Sequence, residues 1–205
     1  RPDCRSTVRR PLGDQDPMVR AASVRLLDGT DVRTQVDLGW PLLEDESRVV
    51  RLEAARVLAP LLRQGVPDRY RTQLRVAVQE YREAQQVNAD RAEAHLNLGL
   101  IAVGTGDGRG AESAYRAAIR LEPDFVPAYV NLADLYRQAG AEDRGEAVLR
   151  EGIRAAPDAA ALRHALGLLL VRQQQLPEAL PELKRAAELD PGAARYGLVH
   201  ALSLQ

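Results

Sequence analysis

Four glycines stand at alternate positions directly after an apolar run: Gly104, Gly106, Gly108 and Gly110. The chemistry that this pattern suggests first is phosphate binding, because glycines let backbone N–H groups approach a pyrophosphate closely. That chemistry needs G-x-G-x-x-G after a strand, and Arg109 stands where the last of those glycines belongs. No G-K-[S/T] sequence follows either. The glycines are therefore predicted to form a turn between helices. A nucleotide-dependent enzyme is kept only as the least favoured of three hypotheses for function, because it depends on this glycine stretch alone.

The histidines and the single cysteine do not have the spacing of a catalytic or metal-binding site. His95, His164 and His200 are not joined in an H-x-x-x-H or H-E-x-x-H sequence, so structural or surface roles are favoured. Cys4 cannot form an internal disulfide by itself, and no C-x-x-C-H sequence attaches a haem to this stretch. No serine lies in G-x-S-x-G. The chain is predicted to be non-catalytic, with no metal and no cofactor.

The composition and net charge limit the classes of partner that the chain can be expected to bind. The 205 residues are 45% hydrophobic and 28% charged, which is typical of globular proteins. The net charge of −1 gives no basic excess for a nucleic acid, and no apolar run reaches the about 18 residues that membrane insertion needs. Lys184 is the only lysine, so the positive charge comes almost wholly from arginine, a preference typical of GC-rich bacterial genomes. Because the sequence begins at Arg1 with no leader, we expect a fragment or a processed product whose N-terminus does not set the compartment.

Three prolines reveal a repeat in the second half of the chain, since Pro123, Pro157 and Pro191 recur at a constant 34-residue spacing, each after an apolar helix end. The first half of each repeat has a large residue, then a leucine, then a small residue: His95-x-x-Leu98-Gly99, Tyr129-x-x-Leu132-Ala133 and Arg163-x-x-Leu166-Gly167. The second halves also agree: Ala111-x-x-x-Tyr115-x-x-Ala118, Gly145-x-x-x-Leu149-x-x-Gly152 and Ala179-x-x-x-Leu183-x-x-Ala186.

This pattern resembles the tetratricopeptide repeat family, a 34-residue helix–turn–helix unit in which small residues let paired helices approach and leucines fill the space between them. The resemblance covers the array 91–205 in three gapless units and a capping helix: 92–125, 126–159, 160–193 and 194–205. The resemblance places Gly106 and Gly140 in the turn between paired helices. Pro181 departs from the pattern, and we expect it to bend or delay the second helix of the third unit.

The N-terminal part of the chain, 1–64, follows a different period. The segment beginning at Val19-Arg20 aligns with the one beginning at Val50-Arg51, at a 31-residue offset. This spacing resembles HEAT-type repeats over 1–64, although a pair of unspecified helical hairpins is the alternative. Trp40 is predicted to lie in the core with Val36. Residues 65–90 form the junction, which includes a degenerate second helix of the tetratricopeptide type with Ala77, Tyr81 and Ala84.

Together these segments predict an all-α fold, an α-solenoid of antiparallel helix pairs that is continuous from end to end. HEAT-like repeats are followed by about three tetratricopeptide units and the C-terminal capping helix. Each unit contacts mainly its neighbours, so isolated units are not expected to be stable.

The resemblance implies a concave face lined by the first helix of each unit. Its predicted partner-binding groove consists of mostly apolar positions with a few polar ones: Leu96, Leu100, Val103, Val130, Asp134, Arg137, His164, Leu168, Val171 and Arg172. Such a stripe suits an extended or helical peptide, with charged groups fixing its register. The family's clamp for C-terminal carboxylates needs basic and amide side chains where this chain has Leu96 and Leu100, so that specificity is not implied.

The leading hypothesis is a bacterial protein-interaction scaffold that binds a protein or peptide. Other domains of the same polypeptide are the alternative occupants of the face. A second hypothesis is the accessory C-terminal region of a larger redox protein, since the order of the repeats resembles the tails of some multi-haem c-type cytochromes. That resemblance favours the periplasm over the cytoplasm, although the sequence leaves the compartment unknown.

Overall fold

The computed structural model describes residues 4–64 and 66–203, and within these ranges it consists of helices and turns with no strand. The predicted all-α class is confirmed. Twelve α-helices are described: α1 Cys4–Leu12, α2 Pro17–Val24, α3 Val32–Thr34, α4 Arg48–Leu58, α5 Asp68–Gln86, α6 Ala92–Thr105, α7 Gly108–Leu121, α8 Val126–Gln138, α9 Glu142–Ala155, α10 Ala160–Arg172, α11 Leu176–Leu189 and α12 Ala194–Leu202.

The helices form two compact units. The first comprises the described residues within Arg1–Asn88 together with Leu100–Asp107, and the second comprises those within Ala89–Gly99 and Gly108–Gln205. The two ends of α6 therefore belong to different units. The continuous solenoid across the junction and the predicted boundaries stay predictions.

In the first unit, α2 packs against α4 and α4 packs against α5. The core contains fully buried leucines on α4 and α5 and on the single turns that follow α2 and α4, among them Leu27, Leu58 and Leu74. Trp40 is 6% exposed, and its indole N–H donates to Oε1 of Gln73 at 2.6 Å. Its predicted core position is confirmed, and Val36 packs against the same core.

One buried arginine links the turn between α1 and α2 to the turn before α4. Nη1 of Arg20 donates to the backbone carbonyls of Asp14 and Gln15 at 2.9 and 3.1 Å. Its Nε and Nη2 donate to the Asp45 carboxylate, which lies one repeat further along the chain. Arg20 thus connects the turn before α2 to the equivalent turn before α4 by hydrogen bonds.

Arg51 repeats this arrangement at the 31-residue offset. Its Nη1 donates to the carbonyls of Asp45 and Glu46 at 2.9 and 3.1 Å, and its Nε and Nη2 donate to the Glu80 carboxylate at 3.1 and 2.8 Å. The period seen in the sequence therefore has a counterpart in the hydrogen bonds. Assignment of these units to the HEAT type stays a prediction.

Helices begin at regular intervals in the second half of the chain. α6, α8 and α10 begin at residues 92, 126 and 160, while α7, α9 and α11 begin at residues 108, 142 and 176. The second unit buries Leu132 and Leu166 almost completely between paired helices, as the pattern predicts. Leu98, at the corresponding position of α6, is only half-buried.

The glycine-rich stretch forms the predicted turn. Gly106 ends α6 with φ +84°, and the next amide, of Asp107, donates to the carbonyl of Ala102 at 2.8 Å. Gly140 ends α8 in the same way with φ +69°. This is the left-handed helix end that glycine favours. The apolar run before the glycines is helical, so it does not form the strand that a dinucleotide-binding turn requires.

α11 begins at Leu176 although it contains Pro181, so the proline does not delay this helix, while the alternative that it bends the helix stays a prediction. A proline inside a helix removes one backbone hydrogen bond. Here Ala179, Leu183 and Ala186 are fully buried, and this packing holds the helix in register. The predicted capping helix is α12, which packs on α11 with Tyr196 buried. The side chains of Cys4, His200 and Leu202 lie outside the described residues.

Candidate partner-binding cleft

A cleft of about 200 Å³ opens in the second unit. It is lined by residues of α8 and α10 and one residue of α9: Val130, Ala133, Asp134, Arg137, Leu149, Ala165, Leu168, Leu169 and Arg172. Five of these belong to the predicted groove: Val130, Asp134, Arg137, Leu168 and Arg172. The 34-residue register explains why they meet, because it aligns the exposed faces of successive first helices.

The inner surface of the cleft is apolar. Ala133, Leu149 and Leu169 are at most 5% exposed, while Val130 and Leu168 are half-buried. Sequence reasoning missed Ala133, Leu149, Ala165 and Leu169 as lining residues. Ala133 carried a signal, since it occupies the small position of the repeat pattern. Because its methyl group and that of Ala165 are short, they leave space that larger side chains would fill.

Charged groups lie at the rim. The Asp134 carboxylate accepts from Nε of Arg137 and from Nε2 of Gln138, each at 2.7 Å. Nε of Arg172 donates to Oε1 of Glu142 at 3.4 Å, a long contact. All these pairs are substantially exposed to solvent, and exposed ion pairs contribute only about 0–1 kcal/mol each. Both arginines can therefore exchange their partners for a ligand at little cost.

His164 lies outside the cleft. Its ring packs on Tyr196 of α12, with centroids 4.6 Å apart. Burial, and secondly the positive charge of Arg195, lower the pKa of His164 below its ordinary value of 6.5. Register alone placed His164 with the groove residues, but it did not reveal that another helix covers this position.

The other predicted groove residues do not line the cleft. Val171 is half-buried on α10, beside the lining residue Arg172. Leu96 lies in the second compact unit, whereas Leu100 and Val103 belong to the first. Leu100 is 40% exposed, and Leu96 and Val103 are half-buried.

Tyr115 is a buried titratable group of this unit that serves packing. Burial, with a smaller contribution from the Asp134 charge, raises the pKa of Tyr115 to about 12. Tyr115 is 1% exposed and lies against Gly99 of α6. Over residues 4–64 and 66–203, no three His, Cys, Asp or Glu side chains gather into a group that could hold a metal ion.

No helix within the described ranges combines the length and the apolar character needed to cross a membrane.

The geometry defines an all-α helical-repeat protein, and the comparisons specify the repeat. Residues 102–169 match one tetratricopeptide repeat profile and residues 164–202 match another. Residues 102–202 therefore match tetratricopeptide repeats, as the 34-residue pattern predicted. No curated protein matches the sequence.

Solved structures with similar folds include TTC0263, a thermophilic TPR protein of Thermus thermophilus. It is 18% identical, with a TM-score of 0.55, and the match covers 98% of each chain. A MamA crystal structure is 20% identical over 82% of this chain and 99% of that one, with a TM-score of 0.48. MamA 41-end from Desulfovibrio magneticus RS-1 is 19% identical over 75% and 83%, with a TM-score of 0.48. At these identities the likeness to TTC0263 shows the fold. The HEAT-like and cytochrome resemblances stay predictions.

Proposed function

We propose that the chain is a non-catalytic scaffold that binds a partner protein or peptide, with the cleft between α8 and α10 at the centre of the site. The observation that carries this proposal is the cleft itself, an apolar depression of about 200 Å³ with exchangeable charges at its rim, in a helical-repeat protein. Of the ten groove residues predicted from the sequence, the five that line the cleft form the proposed site, and the others stay predictions.

The size of the cleft suits one large apolar side chain of the partner. Burying such a side chain contributes about 1.5–3 kcal/mol, whereas a micromolar complex needs about 8 kcal/mol. The remainder of the binding free energy would come from contacts of the partner with residues beside the cleft and from polar groups. Arg137 and Arg172 flank the opening, so hydrogen bonds from them to a bound backbone or carboxylate would fix its register.

Capture of the partner from cells that produce the protein tests this proposal. The purified chain is cross-linked to its partner, and captured proteins are identified by mass spectrometry. Leu168→Glu places a charge on the apolar wall and is expected to abolish capture, because a carboxylate would occupy the apolar depression and must be desolvated on binding. Leu168 is half-buried, so the melting temperature of this variant is expected to change little.

Leu176→Glu is the matched control, since Leu176 lies in the same unit on α11 and is 46% exposed outside the cleft. It is expected to capture the partner normally. Equal capture by Leu168→Glu and Leu176→Glu would refute the site. A large fall in the melting temperature of Leu168→Glu would show that Leu168 belongs to the core.

A further inference from the structure

The contact between His164 and Tyr196 joins the capping helix α12 to α10. Their ring centroids are 4.6 Å apart, and the ring planes are tilted by 48°. Tyr196 is 3% exposed, so its ring is among the most buried side chains of α12. α12 also packs along α11. The His164–Tyr196 contact is therefore part of what holds α12 in place.

His164 stands where the two preceding repeats have aliphatic residues, Leu96 and Val130. Its Nδ1 is buried and has no hydrogen-bond partner within the described part of the chain. A neutral imidazole can present a lone pair there, which is a modest loss of hydrogen bonding. A protonated ring must instead present an N–H donor and a positive charge, and a buried charged donor without an acceptor is far more costly.

The Tyr196 ring, which packs on His164, already makes a cation–π contact with Arg195. The Arg195 guanidinium lies 4.8 Å from the Tyr196 centroid, and its Nη2 donates to the Tyr196 hydroxyl at 2.8 Å. A cation on His164 would gain attraction to the same ring, but it would also meet the charge of Arg195 at short range. With Nδ1 buried and unpaired, protonation weakens the packing of α12.

Charges on α11 and α12 do not compensate a positive His164. On α11, Glu182 is engaged by Arg163, whose Nη1 donates to its carboxylate at 3.0 Å. On α12, Arg195 is positive, and the side chain of His200 lies outside the described residues. Burial and Arg195 are the two causes that lower the pKa of His164, and no carboxylate acts in the opposite direction.

We propose that protonation of His164 releases α12 from α10, so that the C-terminal cap of the array is a pH-sensitive latch. Release would expose Tyr196 and the surface of α10 one helical turn from Leu168, beside the cleft. The latch does not depend on which partner the cleft binds.

The direction in which docking of α12 depends on pH follows from the lowered pKa of His164. The docked state favours neutral His164, so docking is complete above the ordinary pKa of 6.5. As the pH falls below that value, His164 is protonated first in the state in which α12 is released, and docking weakens until the pH passes the lower pKa of His164 in the docked state. The population of released α12 rises about tenfold for each pH unit that separates the two pKa values.

Hydrogen exchange of the full chain at pH 8 and pH 5, corrected for the intrinsic exchange rate, tests the latch. Protection of residues 194–202 is expected to fall at pH 5, while that of residues 126–138 in α8 stays constant. His164→Leu restores the aliphatic residue of the other repeats and is expected to remove the pH dependence. His200→Gln removes the histidine of α12 itself and is expected to leave the dependence intact.

Three results would overturn the latch. One is equal protection of residues 194–202 at both pH values in the unmodified chain. The second is a pH dependence that persists in His164→Leu, and the third is its loss in His200→Gln. If His164→Leu does not fold, His164→Gln provides the same comparison, because its amide is neutral at both pH values.

Discussion

Arg20 and Asp45 form a bidentate ion pair whose two side chains are each only 10% exposed. The Nε–Oδ2 and Nη2–Oδ1 distances are 2.9 and 2.8 Å. Oδ1 of Asp45 also accepts the backbone N–H of Ser47, the residue that precedes α4, at 2.8 Å. Burial by itself would raise the pKa of Asp45, but the hydrogen bonds from Arg20 and Ser47 outweigh it and lower the pKa. One carboxylate thus positions both α2 and the start of α4.

Asp45→Asn is expected to lower the melting temperature at pH 7, because the amide leaves the enclosed Arg20 without a compensating charge. The folded-state pKa of Asp45 is below the ordinary 3.8, so its contribution is complete above that pH and disappears as the pH falls through the folded-state value. Thermal unfolding between pH 7 and pH 2 should therefore show the two proteins converging in acid.

Glu46→Gln is the matched control for Asp45→Asn. The Glu46 side chain is 91% exposed and lies 3.7 Å from the same arginine. Exposed pairs of this kind contribute little, so the control should melt like the unmodified protein at every pH. A constant difference between Asp45→Asn and the unmodified protein down to pH 2 would show that the carboxylate charge is not the cause.

Leu132→Ala tests the core of the second unit. Leu132 is fully buried, and truncation of a buried leucine removes apolar contacts and leaves a cavity. We expect the free energy of unfolding to fall by about 2–5 kcal/mol in urea denaturation. Leu121→Ala, at a position that is 47% exposed, is the control and should change it by less than about 1 kcal/mol. Equal losses would place Leu132 outside the core.

The repeat pattern predicted the second unit well because each position of the pattern has one physical role. At two of the three pairing positions the leucine is buried, as Leu132 and Leu166 show, whereas Leu98 is half-buried. Register also brought Asp134 and Leu168 to one cleft, since both lie on the exposed faces of first helices. It did not predict that Tyr196 covers His164, because a face inferred from one helix does not specify what packs on it.

The first unit was less predictable. The hairpin before α4 is short and irregular: α3 ends at Thr34, a π turn covers Gln35–Gly39, and a 3₁₀ turn covers Trp40–Glu44. Tertiary contacts account for this. The backbone at Gly39 lies so close to Leu58 that an added Cβ would be 3.0 Å from its side chain. A helical period in the sequence does not report such close approaches.

Gly99→Ala tests the close approach of α6 and α7. A Cβ at residue 99 would lie under 3.0 Å from the Tyr115 ring, and Tyr115 is buried. Overpacking of this kind costs about 1–3 kcal/mol, which outweighs the gain of up to about 1 kcal/mol from the helix propensity of alanine. The control is Gly197→Ala in α12, where a Cβ meets no atom within 4 Å. Urea denaturation should show destabilisation by the first and a small stabilisation by the second.

The turn after α10 has the same backbone as the turn after α8, but without glycine. Gln174 has φ +62°, the left-handed value that Gly140 adopts one repeat earlier at +69°. At both turns the following amide closes the helix end, with Gln175 donating to the Leu170 carbonyl at 2.9 Å. A left-handed residue other than glycine costs about 1–2 kcal/mol, while glycine loses about 0.5–1 kcal/mol more conformational entropy on folding.

Gln174→Gly is therefore expected to stabilise the protein by roughly 0.5–1 kcal/mol, because relief of the backbone strain exceeds the entropy that glycine loses. The reverse exchange at the equivalent turn, Gly140→Gln, should destabilise by a similar amount. An added Cβ at residue 140 meets no atom within 4 Å, so its effect reports the backbone alone. Urea denaturation of both variants measures the two changes. Effects of the same sign would mean that side-chain contacts, and not the left-handed backbone, decide the stability of these turns.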